Sequence, residues 1–94
     1  MRKNEEFMPS DIGAMYEIDN YLNEAVVNMR KAGKKVDEVG EMLLSSGIRE
    51  EGEDMSFVRG MIDGTTQIFA KKVNDIKDEL DRIRKNVLKL FEVV

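Results

Sequence analysis

From Met61 to the C-terminus, apolar residues return in alternating steps of three and four. Ile62, Phe69, Ile76, Ile83 and Leu90 form one line, and Thr66, Val73, Leu80, Val87 and Val94 the other; Thr66 is the one polar member. A 4-3 period held over more than four heptads, with charges around it, is satisfied by a long helix packed lengthwise on another helix. Upstream, Met15, Ile18, Leu22, Ala25, Met29, Ala32, Val36, Val39 and Leu43 make a second seam with no polar interruption. Two seams imply two mated helices. The expected fold is all-α: an antiparallel two-helix hairpin with helix 1 near 11–45, a hinge over 46–53 and helix 2 near 54–92. The hairpin unit spans 10–94, after a flexible arm over 1–9.

The boundaries follow from local chemistry. Pro9 disfavours helix at Met8, and Ser10 and Asp11 then offer side-chain acceptors to the amides of a first turn. Ser45 to Asp54 gathers turn formers and charges between the periodic segments. Within it Gly47 can adopt the left-handed conformation that ends a helix, and Asp54 or Ser56 can cap the next. Ile48, the apolar member of this stretch, reads as a plug over the last turn of helix 1. If the chain folds back about residue 49, positions pair when their numbers sum to about 99, which sets Ala32 and Gly33 near Thr66 and Phe69. Small residues opposite a ring are good packing. Gly60 and Gly64, four apart, line two missing side chains on one face and read as a close contact with helix 1 or a neighbouring chain.

The chain has no Cys and no His. Disulfides, thiolate metal sites, the usual general base and the commonest zinc ligand are therefore missing, and the reading is non-catalytic, with no cofactor and no metal. Residues 37–63 hold eight acids against Arg49 and Arg59, so the hairpin tip is an acidic knob that repels nucleic acid. Its carboxylates lack the ligand spacing of a calcium loop. Arg30-Lys31 and Lys34-Lys35 have acids nearby and no interleaved aromatics, so they read as a solvated face. No apolar run approaches the roughly 20 residues of a membrane span, and Arg2 and Lys3 are followed by no apolar signal region. Synthesis in the cytoplasm is expected, with signal-peptide-independent export left open.

Beyond the seams there is more apolar surface than one hairpin can hide. Tyr21, Val26 and Met42 on helix 1, with Val58, Met61, Ile68, Leu88 and Phe91 on helix 2, widen the stripes and form the candidate partner interface. Phe7 and Met8 could cover part of the C-terminal end. The expected assembly is a homodimer or a heterodimer with another small helical protein, closing a four-helix bundle.

A chain of this length with two long antiparallel helices, no cysteine, no signal peptide and an apolar interface resembles the WXG100 (ESAT-6-like) proteins of type VII secretion. The tip carries Ser45-Ser46-Gly47-Ile48 where those proteins carry Trp-x-Gly. Phe91 stands where the aromatic of their aromatic-x-x-x-acid export motif would be, but the sequence ends at Val94, one residue before the acid, so the motif is incomplete. The resemblance implies a hairpin that pairs into a four-helix bundle and is exported with its partner; the other reading is a structural or adaptor coiled-coil subunit that stays in the cytoplasm as a homo-oligomer.

Overall fold

The computed structural model describes residues 11–92, with side chains to Leu90. Two helices, α1 (Ile12–Ser45) and α2 (Arg49–Glu92), pack against each other in a rod about 70 Å long. The fold is an all-α helical hairpin. The expected arm over 1–9, the capping Ser10, and the contributions of Phe7, Met8 and Val94 lie outside the described residues, as does the side chain of Phe91.

The turn is shorter than its composition implies. Ser46, Gly47 and Ile48 alone connect the helices. Gly47 has φ +79°, its N–H donates to the Leu44 carbonyl at 3.1 Å, and the Ile48 N–H donates to the Leu43 carbonyl at 2.9 Å. This pair of bonds is a Schellman closure, which satisfies carbonyls that the end of α1 would leave orphaned. The carbonyl of Ile48 then accepts the Gly52 N–H at 3.2 Å, the first helical bond of α2. Ile48 thus belongs to both helix ends and remains 44% exposed, a partial plug at most. The expected hinge over 46–53 and the cap at Asp54 or Ser56 are corrected accordingly: α2 starts at Arg49. Glu50 and Glu51 fall in its first turn, where negative charge favours the positive end of the helix dipole. Gly52 is helical and buried because a Cβ there would stand 2.7 Å from the Leu44 side chain. At the other end, Asp11 has helical dihedrals (φ −72°, ψ −13°) and makes no side-chain cap, unlike the expected role.

The seam of α1 also departs from expectation. Leu22, Met29, Val36 and Leu43 face α2 as predicted, but the second line is Asp19, Val26, Gly33 and Gly40 rather than Ile18, Ala25, Ala32 and Val39. Val26, Gly33 and Gly40 are buried, whereas Ile18 is 43% exposed and Ala32 is exposed. On α2, Thr66 and Val73 are buried as the heptad requires, the Thr66 hydroxyl donating to the Ile62 carbonyl at 2.6 Å. Below Val73 the line passes from Ile76 and Leu90 to Lys77 and Arg84: Ile76 is exposed and Lys77 half-buried, and Arg84 is more deeply buried than Ile83. An unsupercoiled helix drifts about 20° per heptad, so a strict seven-residue line leaves the contact after a few repeats.

Candidate interaction face

The rotation of both seams gives the hairpin two unlike long edges. Along one, polar groups bridge the helices at three levels. Near the tip, Arg59 Nε lies 3.4 Å from Asp37 on α1 and 3.5 Å from Asp63 on its own helix. Its guanidinium crosses Gly33, where a Cβ would be 1.6 Å from Nη1. Gly33 is therefore small for an arginine, and not for the ring of Phe69. Mid-rod, the Lys77 ammonium donates to the Asn23 side-chain oxygen. Toward the open end, the guanidinium of Arg84, 5% exposed, sits 3.2 Å from Asp19, hydrogen-bonds Asp81 and stacks 4.4 Å above the Tyr16 ring.

Burial alone would lower the Arg84 pKa, but the hydrogen bond to Asp81, the charges of Asp19 and Asp81, and Tyr16 outweigh it and raise it above the ordinary arginine value. The arginine therefore stays charged inside the hairpin. Its Nη1 and Asp19 Oδ1 have no hydrogen-bond partner, so the pair is held by charge with imperfect alignment.

The opposite edge carries no such bridge among the described residues. Met29 and Ala32 of α1 face Val58, Met61, Ile62 and Thr65 of α2 across a shallow groove whose walls are almost wholly apolar. Met61 is 65% exposed and Ile68, two turns further along the same line, 61%. Ile18, one residue off the buried line at Asp19, and half-buried Ala25 continue this surface toward the open end. Burying Met61 and Ile68 fully would stabilise an assembly by about 1.5–3 kcal/mol each.

Of the eight expected interface residues, Val58, Met61 and Ile68 come together here, and Tyr21 projects exposed from the same side of α1, four residues before Ala25. Val26 is withdrawn: it is 8% exposed, packed between the helices. Met42 is exposed at the tip end of α1. Leu88, four residues beyond Arg84, stands toward the ionic edge, apart from the others. Sequence reasoning missed Phe57, the most exposed of the large apolar side chains at 75%, because it lies off both heptad lines. It also missed Arg59 and Arg84; the signal was an acid at the matching level of α1, Asp37 and Asp19. The expected contact of Gly60 and Gly64 with helix 1 is corrected as well, since a Cβ at either would meet nothing within 4 Å.

Among the described residues no three acids gather in a way that could hold a metal ion, and no helix is long and apolar enough to cross a membrane. No family model, curated protein or solved structure matches this chain.

Proposed function

We propose that this chain is a non-catalytic interaction protein whose apolar edge packs on a second helical hairpin to complete a four-helix bundle. The observation that carries this reading is the contrast in the hairpin's own edges. Polar side chains that reach across the helices close one edge, while the other presents Val58, Met61, Thr65 and Ile68 beside Met29 and Ala32 with no charge reaching over them. A surface of that kind, rimmed by charge, marks a protein contact, and two further helices are what a hairpin of this length accepts there.

The setting has two versions. The WXG100 likeness implies pairing that precedes signal-peptide-independent export; a structural subunit would instead remain where it is made. Detection of the chain outside cells that carry a type VII system, and its loss when that system is disabled, separates the two.

The pairing itself is tested by sedimentation of the purified chain, alone and co-expressed with other small helical proteins. Met61→Lys with Ile68→Lys is expected to weaken assembly at least roughly a hundredfold, since two buried apolar contacts are replaced by charges in each copy. Helix content should persist in the resulting monomer. A wild-type chain that stays monomeric, thermally stable and without partner would refute the interaction reading.

A further inference from the structure

We infer that the partner is a second copy of this chain, lying antiparallel on the apolar edge about a two-fold axis level with residue 63. This deepens the pairing role proposed above and rests on it. The starting point is a line on α2 that the hairpin leaves unused: Asp54, Val58, Met61, Thr65, Ile68 and Lys72, in steps of 4, 3, 4, 3 and 4. Asp54 and Lys72 stand 18 positions apart, five full turns, so an acid and a base bracket the apolar stretch at one angular position. Val58 is half-buried and the other five are exposed. Among the described residues neither Asp54 nor Lys72 has an ion-pair partner within the hairpin.

When two such lines run antiparallel, residues meet where their numbers sum to 126, as 54 and 72 do. Asp54 then faces Lys72 of the second copy, Val58 faces Ile68, and Met61 faces Thr65. A two-fold contact makes each pairing twice. A parallel arrangement would set Asp54 beside Asp54 and Lys72 beside Lys72. The line stops itself, since the next positions outward, Glu51 and Asp75, would meet as like charges.

α1 carries a matching line on the same edge. Ala25, Asn28, Ala32, Lys35, Val39 and Met42 follow steps of 3, 4, 3, 4 and 3, and pair with themselves where numbers sum to 67. Met42 then lies over small Ala25, Val39 over Asn28, and Ala32 beside Lys35, whose ammonium is ion-paired to Glu38 of its own helix. The centre of that line falls between Gly33 and Lys34, and that of the α2 line at Asp63. Across the hairpin Gly33 stands against Ile62, at 3.5 Å from a Cβ built there. The two centres therefore share one height on the rod, and a single axis serves both. An unrelated helical partner would not need the α2 line to be self-complementary, nor the two centres to share one level.

The test uses equilibrium sedimentation of the full chain with Asp54→Lys and Lys72→Asp, separately and mixed in equal amounts, with circular dichroism to check that each stays helical. The wild type should be a dimer. Each variant alone should dissociate roughly tenfold more readily, because like charges then face each other twice. Mixing them should recover wild-type affinity, since every altered position then meets its opposite. Tighter dimers of Asp54→Lys alone, or a mixture no stronger than its parts, would overturn the antiparallel register. A monomer that instead binds another helical protein through Met61 and Ile68 overturns the second copy and leaves the pairing role standing, whereas a monomer with no partner removes both.

Discussion

The two long edges of this hairpin are built from the same two helices and differ in how they close. On the ionic edge, long basic side chains reach from α2 to acids and an amide on α1, at Asp37–Arg59, Asn23–Lys77 and Asp19–Arg84. Their aliphatic arms cover the seam while the charged ends find partners. On the apolar edge the side chains are shorter or unbranched, and Met61 and Ile68 stay outside the contact. The difference teaches that the hairpin's register is set along one edge and leaves the apolar side chains of the other unconstrained by it. Ion pairs fix which residue of α1 stands opposite which of α2, and the apolar line takes no part in that contact. Buried polar contacts are a known means of specifying register at some cost in stability.

Breaking the ionic edge should give the largest loss of hairpin stability. Asp19→Ala removes the α1 partner of Arg84 and leaves a guanidinium that is 5% exposed with Asp81 alone. The charge keeps its hydrogen bond to Asp81 but loses its carboxylate partner on α1, so thermal unfolding should shift down by several degrees. Asp81→Ala should cost less although Asp81 makes the hydrogen bond to Arg84, because that carboxylate is half exposed and lies on the same helix, so its loss leaves the link to α1 in place. Equal losses from the two variants would mean that Arg84 is not a cross-helix tie.

Two glycines sharpen the same contrast with smaller effects of unequal size. At Gly60 the space for a Cβ is open, so Gly60→Ala should stabilise α2 by up to about 1 kcal/mol through helix propensity. At Gly33 a methyl group occupies the place of Arg59 Nη1. The guanidinium is the mobile end of a flexible chain and can swing away, but it then leaves Asp37. Gly33→Ala should therefore forfeit most of the propensity gain and end close to the parent in stability. Denaturant midpoints of the two variants measure the difference, and a Gly33→Ala as stabilising as Gly60→Ala would show that the Arg59 bridge contributes nothing.

The periodic segments made the two helices and the upper half of the α2 seam readable in advance, since Ile62, Thr66, Phe69 and Val73 lie where a heptad puts them. The α1 line was readable only to within one residue. Ala25 and Val26 are both apolar, and what decides between them is the pairing of Asp19 and Asp37 with arginines 65 and 22 residues away. Periodicity within a helix carries no such long-range information. The start of α2 was hidden for another reason: glycine and charge read as loop, whereas here Gly52 is small to admit Leu44 and the glutamates suit a helix N-terminus. At the candidate face Val58, Met61 and Ile68 were legible as surplus apolar positions, and Val26 was misplaced by the same one-residue rotation.

The smallest expected effect separates ion pairs across the helices from those along one helix. Arg82 donates to Glu79, three residues earlier on α2, and both side chains are more than half exposed. The hydrogen bond first, and the guanidinium charge second, hold the Glu79 carboxyl below its ordinary value of 4.5. A carboxyl whose pKa is depressed on folding contributes stability that is fully present above its unfolded pKa and is lost as pH falls through the folded one. The window is therefore the acid side of about pH 4.5, and an exposed pair is further weakened by salt. By NMR titration Glu79 should protonate below the ordinary glutamate value in the wild type and move up toward it in Arg82→Gln, while the neutral-pH unfolding midpoint barely changes. Such a pair lies within one helix and leaves the register of α1 on α2 untouched. Were Arg82→Gln to lower that midpoint as far as Asp19→Ala does, the division between register-setting bridges and merely solvated pairs would fail.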